Sequence, residues 1–310
     1  MHGDIPARMK KRYIVTLMIL LTLPQLLNAQ RVRARWKAYR WEYMVGIGAS
    51  NFLGELGGAN QVGTNGFRDL EFKATRQVLT AGLRYKITPF LAIHTHGTFA
   101  SVSGDDKLTK EPFRHNRNLN FKSNIYELNV NFEASILSQC EGGLYKLRGM
   151  RRTPSFEASA YVFAGVGVFH FNPKGEYKGK WYELQPLGTE GQGISPARSK
   201  YKRTQLCVPV GVGFRYFFNR RWGVGFEYGL RKTFTDYIDD VSKTYYDNDA
   251  IRAQNGDIAA QLADPSIGVK EAQTLAGEQR GDPRDRDAYM FGIFSLHYKI
   301  RTGRTNFPVF

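Results

Sequence analysis

Two histidines, His94 and His96, stand two residues apart in the segment FLAIHTHGTFA. In an extended chain that spacing puts both rings on one face, as metal ligands can be arranged. No third or fourth ligand is near in sequence, so the pair reads as two interior groups that hydrogen-bond where they sit. Leu91, Ile93 and Phe99 occupy the opposite face. A lipid hydrolase would need its nucleophile and base on that outer face. The pairs GIG, GVG and GVG at 46, 165 and 211 lack the third glycine and the following helix of a phosphate cradle. Asp239, Asp240, Asp247, Asp249 and Asp257 crowd one stretch, but their spacing does not match a calcium-binding loop. That stretch reads as solvated and partly helical. No catalytic residue, cofactor or metal ligand is expected from these motifs.

The elements that carry these residues are strands. Period-2 alternation recurs eight times, in YMVGIGAS, QVLTAGLRYKI, FLAIHTHGTFA, IYELNVNFEASI, FEASAYVFAGVGVFHF, QLCVPVGVGFRYF, RWGVGFEYGLR and YMFGIFSLHYKI. In IYELNVNFEASI, for example, Tyr126, Leu128, Val130 and Phe132 share one face and Glu127, Asn129, Asn131 and Glu133 the other. Most of these runs are about 10 to 14 residues, the length a tilted strand needs to cross a bilayer. Long polar connections alternate with short turns, and GDDKLTKEPFRHNRNLNFKS (104–123) reads as one of the long outer loops. These features predict an all-β fold, an eight-stranded antiparallel transmembrane β-barrel with long extracellular loops. A soluble barrel with its apolar face inside is the bland alternative. The polar face is rich in glycine and in charges of both signs, a composition suited to a crowded lumen. Arg84, Lys86, Glu127, Glu133, Arg215, Glu227 and Arg231 are expected to pair there and close it. Tyr43, Tyr85, Tyr126, Trp222, Tyr228 and Tyr298 are placed to form interfacial girdles.

The N-terminus reads as an export signal. Reading from Met9 as the start, basic Lys10, Lys11 and Arg12 precede an apolar run from Ile14 to Leu23, with cleavage expected after Ala29. That run is too short to span a bilayer. Removing residues 1–29 takes away four basic residues and one acid, so the formal charge falls from +16 to +13. An exported basic chain points to membrane phosphates or an acidic partner, with no nucleic-acid role. The organisation expected is 1–29 signal peptide, 30–40 periplasmic segment, 41–300 barrel and 301–310 periplasmic tail, located in the outer membrane. Cys140 and Cys207 are expected at opposite ends of the barrel and unpaired.

One connection breaks the pattern of short turns: 137–155 lies on the short side yet is long and strongly basic. With the mature N-terminus and the tail, it predicts a basic rim of Arg31, Arg33, Arg35, Lys37, Lys146, Arg148, Arg151, Arg152, Lys299, Arg301 and Arg304.

The segment GASNFLGELGGAN (48–60), followed by DLEF, Thr75–Arg76, LRYKI and GDDKLTKEPFRHNRNLNF, resembles the PorG family of Bacteroidota, outer-membrane barrel components of the type IX secretion and gliding machinery. The resemblance is specific over 41 to about 136, looser through GVGVF, GVGFRYFF and WGVGFEYG, and weakest over 233–288. It implies a non-enzymatic structural role. The implied partners are a periplasmic ring built from a lipoprotein and a soluble subunit, besides outer-membrane lipid and lipopolysaccharide. Rival expectations are a lipid A-modifying barrel enzyme, or an adhesin acting through its outer loops.

Overall fold

Each alternating segment is a strand, and their pairing closes on itself. The computed structural model describes residues 36–56, 74–108, 111–136, 157–268 and 274–302. The barrel strands are β1 (Trp41–Leu53), β2 (Arg76–Lys86), β3 (Leu91–Asp105), β4 (Asn120–Ser135), β5 (Glu157–Tyr177), β7 (Thr204–Phe217), β8 (Trp222–Thr233) and β9 (Ala288–Ile300); a short β6 (Lys180–Glu183) pairs only with the end of β5. Every barrel strand is antiparallel to its neighbours in chain order. Closure comes from β1 against β9, with Trp41 opposite Ile300 and Leu53 opposite Ala288. The protein is therefore a closed eight-stranded antiparallel barrel, which leaves no edge with unpaired backbone groups.

Short turns close one end. Thr88 Oγ1 accepts from the Phe90 and Leu91 amides at 3.2 and 2.9 Å, and Asn219 Oδ1 accepts from Arg221 and Trp222 at 2.9 and 2.7 Å. Such side-chain acceptors satisfy turn amides that no ladder reaches. At this turn end Trp41 packs at a tilt against Tyr85, and Trp222 against Tyr298. The connections β1–β2, β3–β4, β5–β7 and β8–β9 lie at the other end, and the long 137–155 connection on the turn side lies outside the described residues. Pro209 has no amide to donate, and the β5–β7 ladder is interrupted opposite it, at Gly165 and Val166.

The strands change character along their length. On β4 the outward side chains are Phe132, Val130, Leu128 and Tyr126, then Asn124 and Lys122; the inward ones are Glu133, Asn131, Asn129 and Glu127, then Ile125, Ser123 and Phe121. β5 repeats this, with Val162, Val166 and Val168 outward before His170 and Glu176, while Phe169 and Phe171 are buried. Near the turn end the barrel is apolar outside and polar inside. Near the loop end it has an ordinary apolar core. That core includes Phe52, Val102, Phe121, Phe171, Tyr289 and Phe291. Burying each large side chain there contributes about 1.5–3 kcal/mol.

This switch corrects the boundaries of the expected loop at 104–123. β3 runs on to Asp105 and β4 begins at Asn120, so only the middle of that stretch is a connection. It holds a 3₁₀ turn (Asp106–Leu108) and helix α1 (Pro112–Arg117), whose N-cap Glu111 accepts from the Arg114 amide at 2.7 Å. The other connections fold as well. β5 and β6 turn at Lys178–Gly179, both with positive φ (50° and 76°), the pair a two-residue type I′ hairpin needs. Helices α2 (Leu184–Leu187), α3 (Asn248–Asn255) and α4 (Asp257–Ala263) pack through Ile251, Ala259, Ala260 and Ala263.

Candidate functional site

The polar section of the lumen is built around Glu133. It accepts from Arg84 Nε and Nη2 at 2.8 and 2.6 Å and from Arg215 Nη1 at 2.9 Å, with a further contact to Arg215 Nη2. Arg84 also reaches Glu42 at 3.3 Å. A second layer holds Arg231, 3.5 Å from Glu127, and Glu227, which accepts from the Tyr161 hydroxyl at 3.2 Å; Tyr289 donates to Glu127 at 2.7 Å. Lys86 is buried in the lumen too. All seven residues expected to line the lumen are thus inside it, and two layers of ions with an aromatic layer above them fill the bore. Charges removed from water need this many partners to persist.

Lys299, expected on the rim, is instead buried, its Nζ 3.6 Å from the centroid of the Phe217 ring. Strand β9 continues to Ile300, so alternation turns Lys299 inward.

His94 and His96 face the lumen, but the expected hydrogen bonds are not formed. Neither ring nitrogen of His96 has a protein partner, nor does Nε2 of His94. Glu227 from β8 supplies the third ligand-type group that sequence proximity could not reveal. Charges of both signs surround these rings: Arg84, Arg215 and Arg231 on one side of the balance, Glu127 and Glu133 on the other.

A third constellation went unseen in the sequence. Ser295 Oγ lies 2.8 Å from His297 Nε2, and His297 Nδ1 lies 2.8 Å from Glu42 Oε1. The connectivity is that of a nucleophile, base and orienting acid. All three side chains are buried, and Gly225 packs directly against the hydroxyl and Nε2. The relay is packed inside the lumen, away from the outer face.

At the loop end a second buried network ties the connections together. Asp106 pairs with Arg117 at 2.8 Å and Arg114 at 3.2 Å, and Arg117 donates to the carbonyls of Arg280 and Glu55 at 2.7 and 3.1 Å. Arg280 meets Glu190 at 3.0 Å and the Asp240 carbonyl at 2.6 Å. Asp240 accepts from Tyr201 at 2.6 Å and from Thr189. The described part of the 233–288 stretch is partly helical, and its helices are solvated on their outer faces as expected, but its first residues are not. Its Ile238, Val241, Asp239 and Asp240 are buried in a cap over the barrel mouth. Burial disfavours charge there: it pushes Asp240 up to about 6 and Asp239 to about 7. Burial with the neighbouring Asp239 and Asp236 pushes Glu55 up to about 10. Arg117 goes the other way from what burial alone would give, held above its ordinary value by Asp106.

Residues 17–261 match the model of a family described as a domain of unknown function, DUF6089. The chain belongs to the DUF6089 family. No curated protein matches the sequence. Among solved structures, Ail, the attachment invasion locus protein of Yersinia pestis, in complex with the heparin analogue sucrose octasulfate, shares 10% identity with a TM-score of 0.36, over 84% of this chain and 99% of that one. Neisserial surface protein A shares 9% at 0.34, over 84% and 96%, and OprG of Pseudomonas aeruginosa 9% at 0.30, over 85% and 98%. At this level they say nothing about function, and the barrel is read from the chain's own strand pairing.

In this DUF6089 chain the basic rim is described only in part. Lys37 and Arg301 are exposed at the turn end, where the Thr302 amide donates to the Ala38 carbonyl at 3.0 Å and joins the segment before β1 to the one after β9. Arg31, Arg33, Arg35, Lys146, Arg148, Arg151, Arg152 and Arg304 lie outside the described residues, as do the signal segment and Cys140. Cys207 is a buried free thiol.

Proposed function

We propose that this chain is a non-enzymatic outer-membrane component of the type IX secretion apparatus, anchoring or docking its periplasmic lipoprotein-containing ring. The observation that carries the reading is a filled barrel inside an apolar belt. Tyr43, Ile47, Leu128, Phe132, Val166 and Phe294 are all more than half exposed on the outer surface. Water penalises such a surface, and hydrocarbon accepts it. The ion-paired lumen offers no path for a solute, and its histidines and serine are shut away from lipid. A barrel that neither conducts nor presents a reactive group acts through its two rims. Export is supported by the signal-like N-terminus. The secretion role is supported by the resemblance over 41–136, and ring docking by the basic turn-end rim.

The test is a pull-down of the tagged protein from gently solubilised outer membranes at low salt, with partners identified by mass spectrometry. Recovery of a large periplasmic lipoprotein and its soluble partner supports the proposal. Recovery of the barrel alone refutes it and returns the adhesin reading, to be pursued at the folded cap. Replacing Lys146, Arg148, Arg151 and Arg152 with Glu is expected to abolish ring recovery while leaving the barrel in the membrane. Intact recovery removes the docking role of the rim.

A further inference from the structure

The cap network holds more buried carboxyl groups than cations to pair with them. Among the described residues, Asp106, Glu190, Asp236, Asp239, Asp240 and Asp287 are buried and Glu55 is partly so, against the guanidinium groups of Arg114, Arg117 and Arg280. Arg114 and Arg117 both pair with Asp106, and Arg280 pairs with Glu190. The excess falls at one point. Glu55, Asp236 and Asp287 each offer a carboxylate oxygen, and these oxygens lie within 4.8 Å of one another.

The carboxylates are oriented in a way that mutual repulsion alone does not explain. Glu55 Oε1 accepts from the Asp282 amide at 3.0 Å, which leaves Oε2 without a partner. Asp287 Oδ2 accepts from the Ile238 amide at 2.8 Å, which leaves Oδ1 without one, although the residue is fully buried. Ser242 lies beside Asp236, yet neither oxygen of this 8%-exposed carboxylate accepts a hydrogen bond of ordinary geometry. One oxygen fixed by a backbone amide and the other bare is the arrangement in which outer-shell bonds aim a metal ligand. A bare buried carboxylate oxygen is otherwise costly.

We infer that Glu55, Asp236 and Asp287 form a calcium site at the mouth of the barrel. The donors are all hard oxygens, which suit calcium or magnesium over zinc. Oxygens that all lie within 4.8 Å of one another can share one ion, and a cage of several protein carboxylates suits calcium, whereas magnesium usually binds through only one or two carboxylates and keeps its waters. Three carboxylates leave positions for water. Glu55 follows β1, Asp236 follows β8 and Asp287 precedes β9, and these three strands are adjacent. The ion therefore staples the roots of the β1–β2 and β8–β9 connections to the strands beneath them. The inference rests on the cap alone and stands whether or not the secretion role holds.

The test uses the full chain refolded in detergent micelles free of lipopolysaccharide and stripped with EDTA. Calcium chloride is titrated by calorimetry, and thermal unfolding is followed with and without it. The expected result is one saturable equivalent of calcium and a higher melting temperature. Glu55→Gln should weaken binding by about tenfold or more, and the pair Asp236→Asn with Asp287→Asn should abolish it. Asp247→Asn with Asp249→Asn, changed on exposed acids of the same connection, should bind as the parent does. If the paired variant does not fold, Glu55→Gln and the parent chain decide the matter. No saturable heat in the parent overturns the inference. So does binding that is equal in Glu55→Gln and the parent, which identifies an adventitious ion only.

Discussion

Arg84 and Glu133 meet across the lumen although β3 separates their strands, with Arg84 Nε 2.8 Å and Nη2 2.6 Å from the two carboxylate oxygens. Arg215 arrives at the same carboxylate from the far wall. One acid thus cross-links β2, β4 and β7. Among the described residues, Glu133→Ala leaves Arg84 with only Glu42 as an ion-pair partner and Arg215 with none. Uncompensated buried charge of this kind costs about 3–5 kcal/mol. Urea unfolding of the refolded barrel should show that loss, and adding Arg84→Met should recover part of it, since the two sites are coupled. A loss under about 1 kcal/mol would mean that water already screens the lumen.

Gly213 makes room for the Tyr161 ring, which lies over Arg215 at 4.1 Å while its hydroxyl reaches Glu227. A β-carbon at 213 would collide with the ring. Gly213→Val is expected to lower stability by about 1–3 kcal/mol through overpacking. Tyr161→Phe keeps the ring and should lose only about 1 kcal/mol for the hydrogen bond. Equal losses in the two variants would contradict a steric role for the glycine. Denaturant midpoints at constant slope give the comparison.

The barrel was readable because alternation is local: a run such as Tyr126 to Phe132 shows its two faces without any knowledge of its neighbours. The strand extensions were not. Above Tyr126 the same outward face carries Asn124 and Lys122, so a rule that puts apolar residues outside ends the strand too early. Side chains that meet across the bore were harder still. Ser295 and His297 share a strand, but Glu42 joins them only through the β1–β9 register, where it stands opposite Lys299. The cap was illegible for the same reason, as Glu55, Asp236 and Asp287 come from distant parts of the chain. Their individual spacings carry no signature.

Asp240 should make the cap sensitive to pH. It faces Tyr201 and Thr189, with Arg280 and Glu190 close by, and burial raises it to about 6. An acid raised on folding binds its proton more tightly in the native state than at the unfolded value of about 3.9. Its contribution to stability is therefore complete below that value and is lost as pH rises through about 6. The stability difference between the parent and Asp240→Asn, measured by urea in EDTA at a series of pH values, should shift against the parent between about pH 4 and pH 7. A constant difference would place Asp240 in an environment that does not favour its neutral form.

The polarity switch along β4 locates the membrane boundary, and two substitutions on one face test it. Leu128 and Asn124 both point outward and are a few residues apart, but Leu128 lies in the apolar belt and Asn124 above it. In hydrocarbon, an arginine near the midplane costs about 2–4 kcal/mol, falling to about 0–1 kcal/mol near the interface. Leu128→Arg should therefore destabilise the barrel in lipid vesicles by an amount within that larger range, and Asn124→Arg hardly at all. The same two variants in water-filled surroundings would differ little. A small, equal effect in vesicles would mean that the belt does not face lipid, and the outer-membrane reading would fall with it.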